Sequence, residues 1–234
     1  MALPKIKHPV YELTIPSSKQ KAKFRPFLVK EEKVLLLAQE SGNTNDMMIA
    51  VMQIITNCTV EGDFKVEDLP TFDIEYLFLR IRAASVDDVT KLKFTDPDTK
   101  EEKEVSVDLK KIEVIWHDDH SSKIKLNDDM TLEMQYPTYS KLQKLDMEKM
   151  NITDTTEKMI NICVDKLYQG EEVFAFKEYT VDEVNEFIES LSSESFKNIQ
   201  NFFDTMPQLK HTVKYKVGNK NKEHTFTGIA DFFS

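Results

Sequence analysis

The chain has 234 residues and carries 41 acidic against 31 basic side chains, which gives a formal net charge of −10 at pH 7. This negative charge disfavours broad binding to nucleic acid or to an anionic membrane, whereas an acidic surface favours solubility or a basic protein partner. The 15 phenylalanines and a hydrophobic fraction of 40% are typical of a folded protein. A chain of this length buries a substantial core, in one large domain or two modest ones.

The two cysteines and the N-terminus bear on the compartment. Cys58 and Cys163 each lie in an apolar stretch with helical spacing, so buried thiols are a better interpretation than a disulfide. The N-terminal sequence MALPKIKHPVYEL lacks the apolar core of a signal peptide. No stretch approaches the roughly 20 apolar residues that a membrane helix needs. We therefore expect a reduced, cytosolic protein, or one that lysis releases into solution.

The first part of the chain predicts a hairpin followed by helices. Alternating residues predict strands over 10–15 and 21–29, separated by the turn sequence PSSKQ. Helical spacing then predicts helices over 31–40 and 45–58. Residues 71–86, TFDIEYLFLRIRAASV, carry a wide apolar arc, which is typical of a central helix that packs into the core from more than one side.

From residue 88 onward the pattern changes to short alternating segments between the turn sequences DPDT, DDHSS and NDD. They predict an antiparallel meander of four or five strands, over residues 90–95, 104–108, 113–116, 123–126 and 131–135.

The last part returns to helices. One helix is predicted to start at residue 139, and others to cover 156–168, 181–191 and 193–205, with a short strand at 173–176. Thr180 and Glu183 match a capping box at the start of the third of these helices. The final predicted element is a hairpin of strands 212–217 and 223–226 around the turn sequence GNKN.

These elements predict an α+β fold. It combines an N-terminal hairpin with helices, a central antiparallel β-meander, and a C-terminal helical part that ends in a hairpin. We expect three segments, 1–88, 89–136 and 137–234, or one compact unit that contains them all.

The histidines do not form a recognisable catalytic site. His117 and His120 are the densest pair of candidate metal ligands, but the sequence offers no third or fourth ligand, so a polar loop is the better interpretation. His211 and His224 are expected to face each other across the last hairpin. No phosphate-binding loop, dinucleotide fingerprint, nucleophile elbow or HExxH motif occurs. We therefore expect no catalytic residues, no metal and no cofactor.

The C-terminal tail, GIADFFS, is the candidate docking element for a partner. Ile229, Phe232 and Phe233 share one face of a single helical turn, which is too short to be stable alone and must pack on something. The alternative is that the tail packs on its own chain and closes the core beside the last hairpin.

Two stretches of the chain carry distinctive motifs. The first contains LPKIKHPVYELTIPSS, KFRPFLVKEEKVLLLAQES, IITNC and FDIEYLFLRIRAASV, and the second contains FFDTMPQLKHTVKYK followed by TGIADFF. These motifs resemble those of the baseplate hub protein family of T-even-like contractile-tailed phages. The combination of KFRPFLVKEEK with FDIEYLFLRIR is the most specific part of the resemblance.

The resemblance implies a structural component of the tail baseplate hub without enzymatic activity, whose partners are other hub or tail proteins. It implies a place in the virion after assembly in the host cytoplasm. Two alternatives stay open. The chain is a transient assembly chaperone for the hub or the tape-measure protein, absent from the mature virion, or it is an enzyme with an unrecognised site.

Overall fold

The computed structural model describes residues 6–85, 88–145, 152–218 and 220–232, with the backbone alone for 152–154 and 229–230. Short runs of strands and of helices follow one another along the described chain. The strands are β1 (Tyr11–Thr14), β2 (Lys21–Phe24), β3 (Thr59–Glu61), β4 (Val89–Thr95), β5 (Glu102–Asp108), β6 (Glu113–Ile115), β7 (Lys123–Lys125), β8 (Met130–Met134), β9 (Val164–Gln169), β10 (Glu172–Ala175), β11 (Gln208–Val217) and β12 (Lys220–Thr227). The helices are α1 (Val29–Ser41), α2 (Thr44–Cys58), α3 (Thr71–Ala83), α4 (Tyr139–Leu142), α5 (Ile152–Cys163), α6 (Val181–Glu189), α7 (Ser193–Thr205) and α8 (Gly228–Asp231). The predicted α+β class is confirmed.

The contacts within the chain group it into two units. The outer unit contains residues 1–115 and 208–234, and the inserted unit contains residues 116–207. The three consecutive segments expected from the sequence stay a prediction about separately folding domains, which a grouping by contact does not test.

The core of the outer unit is built on α3, as its apolar arc predicts. Ile74, Leu77, Phe78 and Leu79 are at most 1% exposed. The helix starts directly after Pro70. Proline is tolerated at a helix start because the backbone N–H that it lacks would have no partner within the helix there. The helix ends at Ala83 and residues 84 and 85 form a turn, so it is shorter than the stretch 71–86, whose last residue lies outside the described residues. Helix α3 is thus confirmed as a core helix.

The N-terminal hairpin is also confirmed, with one addition. Strands β1 and β2 pair antiparallel, and β3 pairs with β2 to make a sheet of three strands. The second strand ends at Phe24 and is shorter than predicted, since residues 25–28 form the connection to α1. Strand β3 was not predicted, since three residues are too few to show an alternating pattern.

The antiparallel strands of the middle segment belong to three different sheets. Strands β4 and β5 form a hairpin of their own, while β6 pairs with β11. Strands β7 and β8 join β9 and β10 in the order β10-β9-β8-β7. Alternation shows that a segment is extended, but it does not show which distant strand covers its hydrogen-bonding edge.

The predicted helix over 156–168 is wrong in its second half. Helix α5 ends at Cys163, and residues 164–169 form the interior strand β9 between β8 and β10. Gly170 adopts a φ of +60° in the turn that leads into β10, a conformation that a glycine adopts at no steric cost. Pairing on both edges overrides the helical spacing of this stretch, because β9 satisfies its backbone groups in the sheet.

The remaining C-terminal elements follow the prediction. Thr180 Oγ1 accepts a hydrogen bond from the Glu183 backbone at 3.3 Å, and the Glu183 carboxylate accepts one from the Thr180 backbone at 2.8 Å, so the capping box is present. The inserted unit packs α5, α6 and α7 around a core that includes Leu132, Ile199 and Phe202. The last hairpin is confirmed and is longer than predicted.

Candidate functional site

The C-terminal tail, the docking element expected from the sequence, is partly buried in its own unit. Phe232 is 0% exposed, and its ring lies 6.1 Å from the ring of Phe226. Arg82 donates a hydrogen bond to the Phe232 carbonyl at 3.2 Å. Asp231 accepts a hydrogen bond from the Thr227 backbone at 2.7 Å, which ties α8 to the end of β12. Phe232 therefore lies where the alternative interpretation, packing on its own chain, expects it.

The other two residues of the expected docking face are not described in the same detail. The backbone of Ile229 lies in α8, and its side chain is outside the described part of the chain, as is the whole of Phe233. Docking of a partner through Ile229 and Phe233 stays a prediction.

A buried carboxylate joins two hairpins of the outer unit. Asp96, at the end of β4, is 0% exposed and accepts hydrogen bonds from Tyr215 Oη at 2.5 Å and from Lys222 Nζ at 2.9 Å. It also accepts a hydrogen bond from the Thr99 backbone at 2.8 Å. The hydrogen bonds from Tyr215, Thr99 and Lys222 hold the pKa of Asp96 well below its usual range.

Aromatic rings pack beside this carboxylate. The ring of Phe94 stacks on His224, with ring centroids 4.0 Å apart. It also makes T-shaped contacts with the rings of Tyr215 and Phe226, at centroid distances of 4.9 and 5.8 Å. Asp96, Tyr215 and Lys222 thus have partners within the fold. The hydrogen bonds to Asp96 and the ring contacts of Phe94 together stabilise the contact between the hairpins.

The two sequence blocks that carry the resemblance each hold a buried acidic residue. In KFRPFLVKEEK, Glu31 is 1% exposed, and Arg25 donates to it at 3.0 Å and to the Asn57 carbonyl at 2.8 Å. Burial raises the pKa of Glu31, but the hydrogen bonds from Arg25 and from the Leu28 backbone outweigh it, so the pKa is lowered overall. Glu31 also caps α1 through its bond to Leu28. The pair therefore fastens the start of α1 to the end of α2.

In FDIEYLFLRIR, the buried acid is Asp73. It is 0% exposed and accepts hydrogen bonds from the backbone and the hydroxyl of Ser17, in the turn of the N-terminal hairpin. Burial raises the pKa of Asp73 to about 6, and the bonds from Ser17 oppose this rise. Asp73 therefore joins the hairpin to the first turn of α3.

Two of the histidines singled out in the sequence, His120 and His224, have structural roles. Both ring nitrogens of His120 are engaged, Nδ1 with Thr205 Oγ1 at 2.9 Å and Nε2 with Tyr136 Oη at 3.0 Å. The expected pairing of His211 with His224 is wrong by two residues, since the register pairs His211 with Phe226 and Val213 with His224. In the described part of the chain, no three His, Cys, Asp or Glu side chains are grouped to hold a metal ion.

The cysteines are free and buried. Burial raises the pKa of Cys58 to about 11 and that of Cys163 to about 12, so both are protonated thiols at neutral pH. A protonated, buried thiol is a poor nucleophile, because the thiolate is the reactive form.

The inserted unit holds an apolar groove that the sequence did not reveal. Its cavity measures about 390 Å³ and lies between the sheet and α6. The apolar side chains that line it are Met130, Leu167, Phe174, Phe176, Val184 and Phe187. The signal in the sequence is the run VFAFKEY, which places three aromatic residues on and directly after the edge strand β10. A short apolar run, however, does not show which of its residues stay partly exposed.

None of the helices that the structure describes combines the length and the apolar character required to cross a membrane.

One comparison with known proteins identifies a family. A family model described as T4 bacteriophage base plate protein matches residues 8–234. Neither the curated proteins nor the solved structures yield a match. The family match spans both units and includes the blocks that hold Glu31 and Asp73. The chain therefore belongs to the T4 bacteriophage base plate protein family.

Proposed function

We propose that the chain is a structural component of the hub of the phage tail baseplate, and that it acts through contacts with other hub or tail proteins during tail assembly. The family match over residues 8–234 carries this proposal, because it covers nearly the whole chain. The assignment to the hub rests on the resemblance of KFRPFLVKEEK and FDIEYLFLRIR to hub proteins. In this proposal the chain is assembled in the host cytoplasm and ends in the virion tail.

The use of the buried polar groups supports a role without catalysis. Glu31, Asp73 and Asp96 are each bonded to groups that hold two parts of the fold together. His120 has both nitrogens engaged, and the thiols are protonated. Such groups stabilise a scaffold, whereas a catalytic site needs a reactive group that faces a substrate.

Quantitative mass spectrometry of purified mature particles tests the proposal, with the tail tube protein as the internal reference for particle number. A permanent hub component is expected at a fixed, small copy number per particle. Detection in assembly intermediates together with absence from mature particles would overturn permanence and support the assembly chaperone. Absence from both would overturn a role in the tail altogether.

A further inference from the structure

The net charge of the protein belongs entirely to the inserted unit. Residues 116–207 contain 19 acidic and 9 basic side chains, whereas the outer unit contains 22 of each. The inserted unit therefore carries the whole net charge of −10. A charge confined to one unit creates a local negative potential, which attracts basic partners and repels acidic ones.

The apolar groove of the inserted unit has an aromatic wall. Phe174, on the edge strand β10, pairs in register with Leu167 on β9, so both side chains point to the same face of the sheet. The rings of Phe176 and Phe187 lie 5.5 Å apart at its helical side. At the rim, Tyr179 is 43% exposed. Aromatic side chains that keep part of their surface accessible are typical of sites that take apolar groups of a partner.

Carboxylates predominate on the segment that forms most of this wall. The segment 169–189, which supplies most of the lining, contains seven acidic residues, all exposed, and the single basic residue Lys177. Among them, Glu183 lines the groove itself, Glu172 pairs in register with the lining residue Gln169, and Glu186 precedes the lining residue Phe187 on α6. The groove is thus apolar in its interior, and the segment that forms most of its lining is acidic.

We propose that this groove binds a basic amphipathic segment of another baseplate protein. The large apolar side chains of the bound segment pack between Phe174 and Phe187. The lysines and arginines of that segment face the carboxylates of residues 169–189. The inference rests on the proposed function, because it names the surface through which a baseplate component makes one contact. Charge complementarity favours this occupant over nucleic acid, which the same carboxylates repel, and over the inserted unit of a second copy, which is equally acidic.

Fluorescence anisotropy tests the proposal with the full-length protein and a labelled amphipathic helical peptide of leucine and lysine. We expect binding that weakens as salt is added, because the charged part of the contact is screened. A peptide of leucine and glutamate with the same apolar face is expected not to bind. Equal binding of the two peptides would overturn the proposal.

Matched substitutions locate the binding site. Phe174→Ser is expected to weaken binding of the lysine peptide by about tenfold or more, the effect of losing about 1.4 kcal/mol of apolar contact. Its control is Val173→Ser, on the same strand, because Val173 is 55% exposed and its side chain points to the opposite face. Equal losses in the two variants would place the peptide elsewhere.

A charge reversal covers the case in which Phe174→Ser does not fold. Glu186 is exposed on α6, and Glu186→Lys is expected to weaken binding several-fold while thermal melting is kept. Asp118→Lys makes the same change of charge in the same unit, at an exposed residue that does not line the groove, and serves as the control. Identical behaviour of these two variants would show attraction to the unit as a whole and would overturn the groove as the site.

Photo-cross-linking in infected cells separates this inference from the proposed function. Benzoylphenylalanine at position 187 is expected to link the chain to a net-basic segment of one tail protein, while the same group at position 173 does not. A link to a second copy of this chain, or to an acidic or neutral segment, would overturn the groove assignment and leave the particle composition, which tests the proposed function, unchanged.

Discussion

Tyr215 donates a hydrogen bond of 2.5 Å to Asp96, a residue 119 positions earlier in the chain. The bond connects the turn after β4 to β11, and the rings of Phe94 and Tyr215 pack against each other beside it. A buried carboxylate is stable only when its charge has hydrogen-bonding partners, and here Tyr215, Lys222 and backbone groups supply them. Asp96 therefore joins the two hairpins, and the aromatic packing beside it adds to the contact.

Asp96→Asn is expected to lower the melting temperature by several degrees, because it removes the charge that Tyr215 and Lys222 face. Asp98→Asn is the matched control, since Asp98 also contacts Lys222 but its side chain is 77% exposed, and it is expected to leave the melting temperature nearly unchanged. Thermal melts followed by circular dichroism measure both. Equal melting of the two variants would contradict the role assigned to Asp96.

The lowered pKa of Asp96 predicts that its contribution to stability depends on pH. The folded-state pKa of Asp96 lies well below that of an unfolded aspartate, about 3.9. A lowered pKa stabilises the fold at pH values above the unfolded pKa, and this contribution is lost as the pH falls through the folded pKa. The difference in the free energy of unfolding between wild type and Asp96→Asn is therefore expected to stay constant from neutral pH to about 4 and to narrow below it.

Asp73 predicts the opposite dependence. Burial raises its pKa from 3.8 to about 6, a difference that corresponds to about 3 kcal/mol. A raised carboxylate pKa costs stability, and the cost appears as the pH rises from 3.8 to 6, because the folded state holds its proton longer than the unfolded state. Urea unfolding of wild type and Asp73→Asn is therefore expected to show the wild type losing stability relative to the variant over this range. Asp63→Asn, at an exposed residue, is the control, and parallel curves for Asp73→Asn would contradict the prediction.

Leu79→Ala is expected to destabilise the protein by about 2–5 kcal/mol, because it opens a cavity in the packed face of α3. Leu79 is 1% exposed. Leu37→Ala removes the same atoms from α1 at a residue that is 67% exposed and is expected to change the free energy of unfolding by much less. Denaturant unfolding measures the free energy of unfolding of both variants. An unchanged value for Leu79→Ala would show that α3 is not a core helix.

The tail predicts a change in stability as well. Deletion of residues 229–234 removes Phe232, and loss of a buried phenylalanine costs about 3–5 kcal/mol. The free energy of unfolding is expected to fall by an amount in this range, with Phe232→Ala giving a similar loss. A truncated protein that keeps its stability but no longer enters hub complexes in a pull-down would instead support the tail as a partner anchor.

The cysteines predict slow thiol chemistry. Because burial raises the pKa of Cys58 to about 11 and that of Cys163 to about 12, the native protein is expected to react slowly with an aromatic disulfide reagent at neutral pH. In urea both thiols are expected to react at the rate of a free cysteine. Rapid reaction of one thiol in the native protein would show that it is accessible as a thiolate.

Local patterns in the sequence determined the elements whose signals lie within a few residues. The wide apolar arc of α3 predicts its burial, and the Thr180–Glu183 box predicts the start of α6, because helical spacing and capping act between neighbours in the chain. The α+β class follows from the same patterns. The negative charge can be read from the sequence, but its confinement to the inserted unit requires the division into units.

The tertiary structure decided what depends on residues far apart in the chain. Residues 164–169 have helical spacing, yet they form β9 because two other strands satisfy both of its edges. Buried Asp96 depends on Tyr215 and Lys222, more than a hundred residues later, for hydrogen bonds that its own turn does not supply. The groove forms because β9, β10 and α6 bring Leu167, Phe174 and Phe187 together. Long-range pairing of this kind is a property of the whole fold, since local spacing does not record which distant residue provides the partner.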